Sequence, residues 1–206
     1  MVRMQEILLW HAWPKFTPKE DEVLPMKCTI SIFDRTKKLP DPRYISPFDK
    51  LTIALNKARK KEEEIFSIRP KRLLGYVGLQ NCSYDSEIDQ RFRNLLGDDS
   101  LIPSKLAHFA LLRPAELVVK YLTRNLEEGQ DQWCGVFICD NNKEIEQSFA
   151  KSEPPSHDDW NPQSLDDNYQ RTFVNQALTK IKEKIKVLSE INSLDEQDEN
   201  EIIEGD

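Results

Sequence analysis

The residues best suited to chemistry lie together in one short stretch of the sequence. Residues 153–160 read Glu-Pro-Pro-Ser-His-Asp-Asp-Trp, which combines three acids, a histidine and an aromatic ring. Pro154 and Pro155 stiffen this stretch because the proline ring fixes the backbone. Carboxylate and imidazole groups are ligands for divalent cations. We therefore predict a rigid loop near the strand ends and take it as the first candidate for a functional site.

Asp140 is an acid that the fold is expected to bring toward this loop. It follows the apolar run 133–139, and ligands of open α/β sheets bind beyond the carboxyl ends of parallel strands. A metal-dependent hydrolase acting on phosphodiesters is therefore one functional interpretation. Its catalytic residues would be Asp140, Glu153, His157, Asp158 and Asp159, and its metal ligands would be His157, Asp158 and Asp159.

The same stretch also has a structural interpretation, which we favour. Asp158 or Asp159 would cap a turn, His157 would bond a backbone carbonyl, and Trp160 would cover the edge of the sheet. One loop rarely supplies a whole metal site, and the sequence contains no His-x-His or His-Glu-x-x-His pair. The sequence therefore favours a protein without a cofactor, and a divalent cation is expected only under the hydrolase interpretation.

Clusters of basic residues make nucleic-acid binding without catalysis a further alternative. One cluster runs from Lys57 to Lys61, a second from Arg69 to Arg72, and a third includes Lys180 and Lys184. Nucleic-acid binding needs such residues on one face with aromatics between them. Because Glu62, Glu63, Glu64 and Glu183 interrupt the clusters, solvated surfaces are the preferred interpretation.

Charge and cysteine content say more about location than about activity. The formal net charge is −7, but residues 195–206 contain seven acids and no base, and residues 1–194 carry equal numbers of acids and bases. Four cysteines are too few for a disulfide scaffold in a chain of 206 residues. The apolar run 7–10 is too short for a signal peptide or a membrane span. We expect a soluble, cytoplasmic protein that is not associated with a membrane.

The elements that position the candidate loop are predicted from apolar spacing. Strands are expected at 5–13, 26–33, 72–79, 106–112 and 133–139, and helices at 47–58, 87–96 and 143–150. Val118, Tyr121, Leu122 and Leu126 have helical spacing between two apolar runs, which predicts a parallel βαβ unit over 106–140. Gly75 and Gly78 predict close approach of another backbone to their strand.

A long amphipathic helix is predicted to start after Ser164. Its apolar stripe consists of Leu165, Tyr169, Phe173, Ala177, Ile181, Ile185 and Leu188. Residues 193–206 are acidic and lack aromatics, which predicts disorder. The expected fold is a single α/β domain over 1–192, with a mixed sheet of about five strands and a disordered acidic tail over 193–206.

The preferred functional prediction is a binding or accessory subunit of a larger assembly, without catalytic activity. The candidate surfaces for a protein partner are the long helix, the tail and Trp10 with Trp13, which look exposed in the sequence. Trp160, Lys180 and Lys184 are further candidate binding residues. The alternatives are the phosphodiesterase or nuclease described above and a nucleic-acid-binding protein, and the sequence specifies no oligomeric state.

Overall fold

The structure, a computed structural model, describes residues 2–19, 26–82, 100–103, 105–126 and 130–203, with side chains as far as residue 189. A small hairpin, β1 (Thr29–Ile32) and β2 (Arg35–Lys38), precedes a five-stranded sheet. The strands of that sheet are β3 (Glu63–Phe66), β4 (Leu73–Cys82), β5 (Ala107–Leu112), β6 (Val118–Thr123) and β7 (Gln132–Cys139). They lie in the order β3-β4-β7-β5-β6, in which only β5 and β7 are parallel. The predicted mixed sheet with a parallel pair is confirmed.

In the described part of the chain, four helices cover the two faces of this sheet. They are α1 (Val2–Phe16), α2 (Phe48–Arg59), α3 (Lys143–Ser152) and α4 (Asn168–Ile203), and single turns of 3-10 helix lie at Pro42–Tyr44 and Pro162–Ser164. Helices α1 and α2 pack on the face that includes Cys134 and Val136 of β7. Helices α3 and α4 pack on the face that includes Trp133 and Phe137. The central strand β7 is therefore apolar on both faces, as its continuous apolar run predicts.

Gly78 in β4 lets α2 approach the sheet closely. A Cβ atom at Gly78 would collide with the backbone of Ala54 and Ala58 in α2. Only a residue without a side chain fits at such a contact. The predicted close approach of another backbone at Gly78 is confirmed, and at Gly75 the added atom would meet the Ile138 carbonyl of β7.

The connection between the two parallel strands is not the predicted helix. Residues Val118–Thr123 form β6, which pairs antiparallel with β5 at the edge of the sheet. Tyr121 packs against the α1 and α2 side, whereas Val119 and Leu122 pack against the other side. An edge strand that is covered on both faces needs apolar residues at odd and even positions, and this pattern imitates helical spacing.

The first element is a helix rather than the strand predicted over 5–13. Its buried positions are Glu6, Leu9, Trp13, Pro14 and Phe16, and all of them except Pro14 recur at the spacing of one face of an α-helix. Ile7, Leu8 and Trp10 lie between them and hide this spacing in the sequence. Trp13 is fully buried, and Trp10 is half-buried, so the expectation of an exposed tryptophan pair is wrong.

Two short charged strands were not expected from the sequence. Strand β2 has four polar residues that are all exposed, and β3 begins with two of the glutamates that were interpreted from the sequence as part of a solvated surface. These strands have few apolar side chains, and they are held by backbone pairing, β2 with β1 and β3 with β4. The short helix predicted over 87–96 lies outside the described residues.

The long C-terminal helix is confirmed, and its stripe faces the sheet. Phe173, Ala177 and Ile181 are fully buried against the sheet, while Tyr169 is exposed. The side chain of Asp167 accepts the Gln170 amide at 2.8 Å, so this acid caps the first turn. Helix α4 extends to Ile203, and the acidic tail over 193–206 lies in the part whose side chains are not described. Its disorder stays a prediction.

No helix in the described part of the chain has the length and apolar character to cross a membrane.

Candidate functional site

The loop over residues 153–160 is anchored to the core by its last residue, Trp160. Its indole ring is buried and packs against Phe149 of α3, with 4.6 Å between ring centroids. It also meets Phe137 of β7 edge-on at 6.0 Å. Aromatic contacts of this kind stabilise a core beyond the apolar area they bury. Trp160 therefore packs on the face of the central strand β7, and not on the edge of the sheet that the structural interpretation predicts.

Glu153 is the centre of a polar network beneath the loop. Its carboxylate side chain is only 2% exposed. It accepts hydrogen bonds from Arg113 Nη1 at 3.3 Å and Trp160 Nε1 at 3.3 Å, and it bonds His157 Nδ1 at 2.8 Å. A buried carboxylate needs such partners because burial removes its hydration. The three bonds fix the loop, the end of α3 and the end of β5 relative to one another.

Arg113 connects two acids of this network. It follows β5 and pairs with Glu146 of α3 as well as with Glu153. Burial works against the charged guanidinium, but the hydrogen bond to Glu146 and the nearby carboxylates raise the pKa of Arg113 above its ordinary value. Arg113 therefore stays charged, and it neutralises much of the acidic character that the sequence places here.

The two aspartates of the loop point to different partners. Asp159 pairs with Lys120 of β6 at 2.6 Å through one oxygen and accepts the Trp160 amide at 2.8 Å through the other. Asp158 is exposed and accepts the Ser156 hydroxyl at 2.5 Å. An aspartate that caps a turn accepts the backbone amide two residues further on. Asp159 bonds the amide of the very next residue and Asp158 bonds a side-chain hydroxyl, so neither bond is the predicted turn cap.

His157 lies on the outer side of the loop. Its side chain is 72% exposed, and its φ angle is 54°, which is uncommon for a residue with a side chain. Its ring bonds the Glu153 carboxylate, whereas its backbone amide donates to the Pro154 carbonyl at 2.9 Å. The expected bond from the ring to a backbone carbonyl is replaced by one to a carboxylate.

The five predicted catalytic residues do not share a centre. Glu153 and His157 touch, Asp158 and Asp159 bind other groups, and Asp140 lines a separate cleft beside Lys61 and Glu116. Across the described ranges, no group of three or more His, Cys, Asp or Glu side chains is placed to hold one metal ion. The geometry supports a structural role for the loop more directly than a catalytic one.

Sequence reasoning missed Arg113, Glu146 and Lys120, the residues that hold the loop. Arg113 directly follows the apolar run 106–112, just as Asp140 follows 133–139. A charged residue directly after a buried strand was therefore a usable feature in both places. Glu146 and Lys120 carry no comparable feature, because each belongs to an element with other exposed charges.

The other predicted binding residues, Trp10, Trp13, Lys180 and Lys184, also lie against other parts of the fold. Trp13 Nε1 donates to the Tyr121 hydroxyl at 2.9 Å, and Trp10 stacks on the Tyr121 ring with 4.1 Å between centroids. Burial raises the pKa of Tyr121. Lys184 pairs with Glu63 of β3, and Lys180 lines the same groove between α4 and β3. Both tryptophans therefore stabilise α1 on the sheet.

A more exposed surface is formed by the β1–β2 hairpin and the start of α1. We call it the hairpin surface and define it by Val2, Ile32, Phe33, Arg35 and Lys37, which line an open cleft of about 790 Å³. Phe33 at the tip is 99% exposed and has a φ angle of 51°. It occupies the first position of the two-residue turn between β1 and β2, where a positive φ usually calls for glycine. The turn therefore holds a bulky apolar side chain in solvent on a backbone that disfavours it.

Comparison of the chain with known protein families, with curated proteins and with solved structures finds no match.

Proposed function

We propose that the protein is a cytoplasmic binding or accessory subunit that docks a protein partner on the hairpin surface. The observation that carries this proposal is the combination of full exposure and a left-handed backbone at Phe33. For a bulky residue a positive φ is a genuine outlier, and it costs about 1–2 kcal/mol. An exposed phenylalanine also adds no stabilisation to the fold, because its ring is not removed from water. Both features are explained if a partner buries the ring.

The charge around Phe33 indicates the chemistry of the partner. Arg35, Lys37 and Lys38 of β2 are exposed, and none of them has an ion pair within the residues that the structure describes. Asp34 is the single acid between β1 and the end of β2. Complementary potentials select partners and speed association. The fitting occupant is therefore a protein segment that presents acidic groups around an apolar side chain.

The apolar residues beside the hairpin favour a protein over a nucleic acid as this occupant. Val2 of α1 lines the same cleft as Ile32 and Phe33, so three apolar side chains border it. Helix α1 lies beside β2, since Gln5 donates to the Lys38 carbonyl at 3.3 Å. Exposed apolar groups with a polar rim are typical of protein-binding surfaces. A cytoplasmic location is supported by four cysteines that are all free thiols, as is usual under reducing conditions.

The test compares Phe33→Gly with Ile68→Gly in the full-length chain. Proteins captured from host extract, with and without nuclease treatment, are identified by mass spectrometry, and the purified partner is then titrated against each variant. We expect Phe33→Gly to keep or raise the melting temperature, because glycine accepts the positive φ, while binding weakens at least tenfold. Ile68 is 67% exposed outside the hairpin surface, so its variant should bind like the parent.

Two results would overturn the proposal. One is equal binding of the partner to the parent and to Phe33→Gly. The other is loss of the captured material on nuclease treatment, which would favour the nucleic-acid alternative. The metal-dependent hydrolase remains a second proposal that depends on a divalent cation at the loop, and it is tested by the melting experiment at the end of the Discussion.

A further inference from the structure

A separate cleft of about 430 Å³ opens at the end of the sheet where β7 ends. One wall is the end of α2 and the turn after it, including Lys61. The opposite wall is the β5–β6 turn with Pro114 and Glu116, and Asp140 lies at the strand end between them. This volume falls within the range of about 300–1,000 Å³ that is usual for small-molecule sites. The position beyond the carboxyl end of a parallel strand is also where such sites occur.

The frame of the cleft is held by a buried ion pair between Arg59 and Glu116. Arg59 Nη2 donates to Glu116 at 2.8 Å, and the two side chains are 12% and 9% exposed. Arg59 also donates to the carbonyls of Pro14, Thr17 and Pro18 at 3.0–3.2 Å. These bonds tie the end of α1 to α2 and to the β5–β6 turn. Arg59 is therefore fully engaged, and it neutralises the charge of Glu116.

The remaining charged groups of the cleft are three lysines and one aspartate, namely Lys19, Lys60, Lys61 and Asp140. Lys19 is half exposed, with its Nζ 4.0 Å from Glu116. Lys61 places its Nζ 4.9 Å from the centre of the Tyr76 ring. Asp140 accepts the Asn142 amide at 3.0 Å through one oxygen, which leaves the other oxygen for a further donor. The cleft thus presents cations, an aromatic wall and one acceptor.

Both lips of the cleft have an unusual backbone. Lys61 has a φ angle of 59° and Glu116 a φ angle of 56°, and neither is a glycine. Lys61 follows the C-cap of α2, where its amide donates to the Ala58 carbonyl and the Glu62 amide donates to the Lys57 carbonyl. A left-handed residue is common in this kind of helix end. Glu116 lies in the β5–β6 turn, where its amide donates to the Arg113 carbonyl at 2.8 Å. Local hydrogen bonds therefore fix the backbone of both residues at the border of the cleft.

We propose that this cleft binds a small phosphorylated compound that also carries hydroxyl groups, such as a nucleotide or a sugar phosphate. Lys19 and Lys61 bind the phosphate, since an ammonium group donates several hydrogen bonds to phosphate oxygens. Asp140 accepts from a hydroxyl, as an acid near a strand end does for ribose in other nucleotide sites. Tyr76 and Pro114 contact the less polar part of the ligand. This proposal is independent of partner binding on the hairpin surface.

The test uses the full-length protein with four probes: AMP, ribose 5-phosphate, adenosine and inorganic phosphate. Binding is measured by calorimetry and by the shift in melting temperature. We expect AMP or ribose 5-phosphate to bind and to stabilise the fold. Lys61→Met should weaken that binding at least tenfold. Lys71→Met is the matched control, because Lys71 also lies over an aromatic ring, 5.4 Å from Phe66, but outside the cleft.

The probes also separate the possible ligands. Binding of AMP alone identifies a nucleotide, and equal binding of ribose 5-phosphate identifies the sugar phosphate as the recognised group. Asp140→Asn should weaken both hydroxyl-bearing probes and leave inorganic phosphate unchanged. The proposal is overturned if none of the four probes binds at millimolar concentration, if adenosine binds as well as AMP, or if Lys61→Met and Lys71→Met behave alike.

Discussion

At the scale of single residues, Glu153 links the loop to the sheet because three donors from three parts of the chain converge on it. Arg113 comes from the end of β5, and His157 and Trp160 come from the middle and the end of the loop. A hydrogen bond to a charged group contributes about 1.5–3 kcal/mol, and more is lost when a buried partner is left unpaired. The network therefore has a measurable effect on stability whether or not the loop also binds a ligand.

Glu153→Gln should lower the free energy of unfolding by about 2 kcal/mol, measured by urea denaturation at pH 7. The amide removes the negative charge that faces Arg113, and its NH₂ group opposes the other donors. The expected loss of unfolding free energy is no larger than this because Arg113 is partly exposed, so that solvent screens its interaction with Glu153. Asp158→Asn is the control in the same loop, since Asp158 is exposed, and its effect should stay within about 0.5 kcal/mol. Equal effects of both variants would contradict the central role of Glu153.

His108 in β5 should make the fold sensitive to acid. Burial lowers its pKa to about 4, below the value of about 6.5 in an unfolded chain. Between these two values the unfolded state binds a proton that the folded state does not. As the pH falls from 6.5 to 4, stability should therefore fall by about 3 kcal/mol, with no further loss from this group below pH 4.

The check is a series of urea midpoints between pH 7 and pH 4 for the parent and for His108→Gln. His108 packs edge-on against Trp10 at 5.4 Å and accepts the Ala107 amide at 3.1 Å through Nδ1. Glutamine offers a comparable acceptor without an imidazole that titrates. Its stability should change less over this pH range, and an unchanged pH dependence would show that other groups cause the acid sensitivity.

At the scale of elements, the sequence predicted long apolar segments better than short or mixed ones. Strands β4, β5 and β7 and helices α2, α3 and α4 all lie close to their predicted positions. Each buries a continuous or regularly spaced apolar set, and burial dominates the choice of structure. Strand β6 was misassigned because neighbouring layers cover both of its faces, so that its apolar residues also fit a helical period. Helix α1 was misassigned because Ile7, which is exposed, and Trp10, which is half-buried, are apolar residues between its buried positions.

Ile181→Asp tests whether α4 is part of the core. Ile181 is fully buried on the α3 and α4 side of the sheet, so the variant buries a charge without a partner. We expect a loss of about 3–5 kcal/mol and poor solubility, measured by thermal melting and by the soluble yield. Val187→Asp in the same helix is the control because Val187 is exposed, and it should melt near the parent temperature. Normal folding of Ile181→Asp would instead identify the stripe as an interface.

At the scale of the whole molecule, the sequence indicated where polar groups gather but not how they pair. It placed three acids and His157 in one loop, and it could not show that Arg113 and Lys120 reach that loop from β5 and β6. Pairing between residues this far apart in the chain depends on strand order, and the unrecognised β6 strand set that order here. The hairpin surface was missed for a related reason, since Phe33 was predicted as the last residue of a strand over 26–33 and instead lies in the turn between β1 and β2.

Cation binding would be visible as a change in the stability of the whole fold. If His157 with Asp158 or Asp159 holds a divalent cation, a hundredfold excess over the dissociation constant stabilises the native state by about 2.7 kcal/mol. We expect no shift with manganese, magnesium, zinc or EDTA, because the ring of His157 and both aspartates already bond other groups. Thermal melting of the full-length protein under each condition is the measurement.

His157→Ala separates the two interpretations of the loop. Under the structural interpretation the variant melts lower than the parent by an amount equivalent to about 1 kcal/mol, since it loses the bond to Glu153. Alanine also tolerates the φ angle of 54° less well than histidine does. Under the hydrolase interpretation a metal raises the parent melting temperature by several degrees and has no effect on the variant. That second pattern would restore Glu153, His157, Asp158 and Asp159 as a metal-dependent site, because only a ligand side chain makes the stabilisation by metal depend on residue 157.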